Sequence, residues 1–134
     1  MSKVTITQFD GDRKAIIYCN FRIESSTAET FVINVANLVK NKNGDACTSL
    51  AINKAWWSVN NTAVTKTLEL LWGGSNDLAL ACNFAEDQDW SSIGGLKNSK
   101  GGGHNGNVEV KFTSVTTGDT ATIVLELLKN YTAT

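Results

Sequence analysis

Few residues in this chain are of a type that does chemistry, and their spacing sets narrow limits on it. His104 is the single histidine, so a Cys–His or Ser–His pair would have to use it. Such a pair also needs a third group to orient the ring and donors for a developing oxyanion. The surrounding run, Gly101-Gly-Gly-His-Asn-Gly106, makes a loop and a poor rigid frame. A loop histidine is the expectation. Glu86-Asp87-Gln88-Asp89 gathers carboxylates just before Trp90. A calcium ion takes about six to eight oxygens, and this spacing lacks the glycine and distal glutamate of a calcium loop. It reads as a solvated loop, and nothing positive marks a glycosidase pair.

Cys19, Cys47 and Cys82 form an odd set with no Cys-x-x-Cys spacing. Cys19 and Cys82 lie in apolar alternating segments, where a free thiol acts as a small hydrophobe. A bridge between them is the lesser expectation, because no secretion signal precedes them. The glycine tract lacks the Gly-Lys-[Ser/Thr] ending of a phosphate loop and leads into a strand instead of a helix. No catalytic residue, cofactor or metal is expected. Trp56 and Trp57 are adjacent, so on a strand they point to opposite faces. One belongs in the core, and the other suits a protein contact or a sugar platform.

The elements that must position these residues are strands. Period-two alternation recurs along the chain. It covers Val4–Phe9, Lys14–Ile23, Thr30–Leu38, Ser49–Val59, Thr62–Trp72, Leu78–Phe84, Val108–Thr113 and Ala121–Leu128. In the second segment Ala15, Ile17, Cys19, Phe21 and Ile23 share one face. Leu78, Leu80, Cys82 and Phe84 share another, opposite Ala79 and Ala81. Turn signals separate the runs at Asp10-Gly11-Asp12, Asn41–Asp45, Asn60-Asn61, Gly73–Asp77 and Thr117-Gly118-Asp119. A helix competes over Ala28–Lys40 and Thr65–Trp72, but β-branched and aromatic residues tip both to strand. The expected fold is all-β, an antiparallel β-sandwich or jelly-roll-like barrel of about eight strands. Residues 1–134 read as one domain, with residues 1–10 an N-terminal arm or edge strand whose removal spares the rest.

Composition narrows the function. A chain of 134 residues, 42% hydrophobic and 19% charged, buries a real core without staples and is not disordered. No apolar run is long enough to cross a bilayer as a helix, and no signal region opens the chain, so a protein made in a cytoplasm is expected. The 12 basic and 13 acidic residues are interspersed and leave a net charge of −1, without the basic face that nucleic acid demands. Proline is absent, against a usual content of about 5%.

The ordered pattern of the C-terminal third carries more. It runs Trp90-x-x-Ile-Gly-Gly-Leu96, a glycine-rich spacer, Gly106-x-Val-x-Val-x-Phe-Thr113, then Thr117-Gly-Asp-Thr-Ala-Thr-Ile-Val-Leu-Glu-Leu-Leu-Lys129, with Leu70-Leu-Trp72 upstream. This resembles a group of small virion structural proteins of tailed phages, marine phages in particular. The resemblance implies a β-sandwich without an active site that decorates or cements the phage head. It further implies a virion location on the capsid surface, assembly in the host cytoplasm, the major capsid protein as partner, and self-association as a dimer or trimer. A tail-associated or carbohydrate-binding module is the second reading, with the outward tryptophan as its platform. Neither involves nucleic acid or membrane. The residues expected at a capsid or oligomer interface are Val4, Ile6 and Phe9 of the N-terminal stretch, Trp56 or Trp57, Gly94, Gly95 and Leu96, and His104 and Asn105.

Overall fold

Alternating strands can bury their apolar halves only by stacking two sheets face to face. The computed structural model does this. It describes residues 3–23, 29–60, 68–74, 77–82, 85–97, 105–112 and 118–131, with residues 3–6 and 29 described through their backbone alone. The strands are β1 (Lys3–Asp10), β2 (Lys14–Arg22), β3 (Glu29–Ile33), β4 (Cys47–Asn60), β5 (Leu68–Trp72), β6 (Asp77–Cys82), β7 (Ala85–Asp89), β8 (Val108–Phe112) and β9 (Thr120–Tyr131). A five-stranded sheet has the order β1-β2-β9-β4-β7 and a four-stranded sheet the order β3-β8-β5-β6. All pairings are antiparallel. The protein is an all-β sandwich.

The core lies between the sheets. Ala15, Ile17, Cys19 and Phe21 of β2 point inward, as their alternation requires, with Ile123, Leu125 and Leu127 of β9 beside them. Val108, Val110 and Phe112 of β8 meet them from the second sheet. The Phe21 and Phe112 rings join the two layers edge to face, with centroids 6.1 Å apart.

Near its end the inner face of β9 carries a charge, with Tyr131 in phase beyond it. Lys129 follows Ala121, Ile123, Leu125 and Leu127 in phase, so its side chain enters the open end of the sandwich and is fully buried there. Its ammonium is paired with the Asp10 carboxylate and donates to the carbonyls of Gly11 at 2.7 Å and Val39 at 3.1 Å. Asp10 in turn accepts the Val39 N–H at 2.9 Å. One ammonium therefore ties the β1–β2 turn and the segment before β4 to the last strand.

Several expectations change. Residues 3–10 form the edge strand that was one of the two alternatives, and the expectation that changes is that their removal spares the rest, because it would strip Asp10 from Lys129. The alternation over Thr30–Leu38 stops at Ile33, because the Asn34 side chain accepts the Ala36 N–H at 2.9 Å and turns the chain into a 3-10 segment, Val35–Asn37. Glu86–Asp89 is strand and not loop: β7 pairs with Lys54–Ser58 of β4. The shared face of Leu78, Leu80 and Cys82 fails at Leu78, which is half exposed. A register shift sets Leu70 opposite Leu80 and Leu71 opposite Leu78, which removes Ala79 from the alternation. Asn61–Thr67 and Phe84 lie outside the described residues.

Gly106 is the tightest backbone approach. Its φ is +87°, and a Cβ there would stand 1.9 Å from the Thr48 carbonyl oxygen. The flanking residues are pinned to Gly73, whose carbonyl accepts the Asn105 N–H at 3.0 Å and whose N–H donates to Asn107 at 2.8 Å. We expect Gly106→Ala to lower stability by at least the ~1–3 kcal/mol of a strained backbone position, read from the urea midpoint. Asp10→Ala leaves the Lys129 ammonium buried without its counter-charge, and its expected cost is about 3–5 kcal/mol in the same measurement.

Candidate functional site

The two adjacent tryptophans separate as strand geometry demands. Trp57 pairs with Ile123 and is buried in the core, whereas Trp56 pairs with Val124 on the outer face and is 48% exposed. Across the five-stranded sheet one register row runs Ile6, Tyr18, Val124, Trp56, Asp87. The neighbouring row runs Phe9, Ile16, Glu126, Lys54, Asp89. Together they place an apolar strip beside a line of alternating charges.

A shallow groove of about 380 Å³ opens where these rows meet β7. Ile16, Val124 and Trp56 form its apolar wall, and Asp87, Asp89 and Glu126 bring carboxylates. Its polar side is organised around Glu126. Asn53 donates its amide to one carboxylate oxygen at 2.7 Å, and the Lys14 ammonium reaches the other at 3.3 Å. These contacts, the Asn53 hydrogen bond foremost, hold the Glu126 carboxyl below its ordinary range. Asn53 is available for this because the β4–β9 register shifts between Ile52 and Lys54, while its own carbonyl accepts the Trp90 N–H at 2.8 Å. At Asp89 the Ser91 hydrogen bonds do the same, and Lys54 lies 4.0 Å away.

The other expected interface residues do not join this groove. Val4 and Ile6 lie on β1, opposite Asn20 and Tyr18. Phe9 stands one residue before the end of that strand and is 47% exposed. Gly94, at φ +80°, closes the turn Ser91–Ile93, and Gly95 packs its backbone against Ala51 and Leu128. Leu96 then bonds Ile52 in both directions, at 2.7 and 2.9 Å. The Ile-Gly-Gly-Leu run is thus docked along β4, although Ile93 beside it is largely exposed. Asn105 is exposed, and His104 lies outside the described residues. Asp87 and Asp89, which line the groove, were not among the expected site residues. Glu86-Asp87-Gln88-Asp89 has no apolar alternation to mark it as a strand, and all of β7 is exposed, so its pairing with β4 left no local signal.

The thiols supply no nucleophile at neutral pH. All three cysteines are free and buried, and burial pushes Cys19 and Cys82 up to about 12 and Cys47 upward as well. Among the described residues no group of three His, Cys, Asp or Glu side chains is placed to hold a metal ion.

A lowered folded-state carboxyl makes Glu126 a pH-linked contributor. Its stabilisation is complete above its ordinary value of 4.5 and is lost as pH falls through the lowered folded value. We expect the urea midpoint of Glu126→Gln to fall less steeply than wild type below that pH. Parallel acid limbs would show that Glu126 is not a contributor.

Comparison with known proteins adds little. No family model matches the chain, and no curated protein matches it. A cupin domain from Bordetella pertussis Tohama I aligns over 96% of this chain and 94% of its own, at 10% identity and a TM-score of 0.35. The VP2 subviral particle of infectious bursal disease virus aligns over 97% of this chain and 41% of its own, at 15% identity and a TM-score of 0.20. Scores this low carry no argument about ancestry or activity, and the chain is assigned to no family.

Proposed function

We propose that this protein is a structural part of a phage particle, a decoration or cement protein that binds the capsid surface and stabilises the head. The observation that carries the reading is the free edge of β1. This strand has eight residues and, among the described residues, is bonded on one side only, to β2. The opposite edge of the same sheet, β7, is all exposed and carries Glu86, Asp87 and Asp89, charges of the kind that block strand addition. The outer strands of the second sheet are shorter, five residues in β3 and six in β6. β1 has an uncharged middle, Val4-Thr-Ile-Thr-Gln8, and offers backbone donors and acceptors to a strand of a neighbour.

The resemblance of the Trp90–Lys129 pattern to small virion proteins supports the same reading, as do the near-neutral charge and the protonated, buried thiols. On a shell, weak strand-addition contacts repeated at each symmetry-related position add up through multivalency. The work done is mechanical: interface area across capsid joints opposes the outward pressure of packaged genome.

The test is binding to purified heads. Wild-type protein is expected to saturate at a fixed copy number and to raise the temperature at which heads lose their DNA. Val4→Lys combined with Ile6→Lys places charge along the β1 edge, opposite Asn20 and Tyr18. This variant is expected to keep its fold by circular dichroism and to bind at least about tenfold more weakly, roughly 1.4 kcal/mol. Absence of the protein from purified virions, or undiminished binding by the charged variant, overturns the reading.

A further inference from the structure

The geometry points to the groove beside Trp56 as a binding site for a neutral saccharide. It is distinct from the β1 edge and does not depend on the capsid reading. In the order β1-β2-β9-β4-β7, Trp56 belongs to β4, three strands from β1. At about 4.8 Å per strand Trp56 is roughly 14 Å from β1. The groove reaches toward β1 only as far as Ile16 on β2, and a strand added to the outer edge of β1 lies on the side away from it.

Three features select the ligand. The first is an aromatic surface left uncovered in mid-sheet: Trp56 is half exposed although Val124 flanks it on one side and Asp87 on the other. A pyranose ring presents a face of C–H groups that packs on such a surface and excludes water from it. The second is the ring of acceptors around it. The Asp87 carboxylate has no hydrogen-bond partner among the described residues, although its backbone pairs with Trp56 in the ladder. Asp89 and Glu126 are each held by other groups, and a carboxylate has about four acceptor sites, so both retain capacity for sugar hydroxyls. These carboxylates are fixed in advance by Ser91, Asn53 and Lys14, so little ordering accompanies binding. The third is size: about 380 Å³ is at the small end for a ligand site and accommodates one or two sugar rings.

Charge excludes the alternatives. Asp87, Asp89 and Glu126 stand against Lys54 alone in the lining, which disfavours phosphates, uronic acids and sialic acids. A cationic ligand would have to displace Lys54 from beside Asp89 and Lys14 from Glu126. A protein partner would have to bury the line Lys14, Glu126, Lys54, Asp89, whereas the cores of protein interfaces are depleted in such charges.

The experiment is an NMR titration of the isolated, folded protein that follows the Trp56 indole N–H. The probes are lactose, maltose, cellobiose and diacetylchitobiose, with 3′-sialyllactose and choline as charged comparators. At least one neutral disaccharide is expected to shift the Trp56 signal saturably, with a Kd on the order of 1 mM. Trp56→Ala is expected to weaken that binding at least about tenfold and Asp87→Asn about threefold, each with the folded β spectrum kept by circular dichroism; Trp56→Ala also lowers the melting temperature, because half of that ring is covered. Trp56→Phe keeps a smaller platform and is expected to fall between wild type and Trp56→Ala. The inference is overturned if no neutral sugar binds at tens of millimolar (roughly −2 kcal/mol or weaker), if choline or sialyllactose binds in its place, or if Trp56→Ala binds as wild type does. Because the assay contains no heads, its failure leaves the capsid reading untouched, and the reverse also holds.

Discussion

A buried ammonium closes this sandwich. Stacked sheets have open ends where no layer covers the core, and apolar side chains there would meet water. At one end Lys129 occupies the last fully buried position of β9, and its charge is matched by Asp10 and by two carbonyls from different segments. An unmatched charge in that place would cost several kcal/mol, so the three partners must come together for the strand to end as it does. The turn after β1, the connection before β4 and the end of β9 become one joint. The Tyr131 hydroxyl reinforces it by donating to the Asp12 carbonyl, and the Lys42 N–H donates to the Asp12 side chain.

With that end closed, β9 serves as the spine. It pairs along nearly its whole length with β2 on one side and β4 on the other. Inward residues of these strands build the core, while their outward residues build the face that carries Trp56. The bulge at Asn53 links the two roles. It releases one residue of β4 from the ladder, and that residue orients Glu126 and receives Trp90. A local irregularity thereby shapes the groove and anchors the segment leading to Gly94 and Gly95.

Much of the fold was legible because strands announce themselves through period two. The inward set of β2, the separation of Trp56 from Trp57 and the positive-φ glycines of the turns at Gly44 and Gly118 all follow from local sequence. Less was legible where local preference and tertiary pairing disagree. Acidic residues disfavour strands, yet Glu86–Asp89 pairs with β4 because an exposed edge tolerates charge. Asn34 interrupts an alternating run through one side-chain hydrogen bond, and only that bond marks where β3 stops.

Sequence alone determined the fold class, the faces of the long strands and the turn positions, because each depends on residues close along the chain. It determined as well that one of two adjacent tryptophans must point outward. Only the tertiary structure decided which one, since that depends on which face of β4 meets the second sheet. The same holds for the placement of Lys129 beside Asp10, the approach of Gly106 to Thr48 and the meeting of Trp56 with Asp87. Each joins residues distant in the chain, and their contact is set by sheet order and register, which no local pattern encodes.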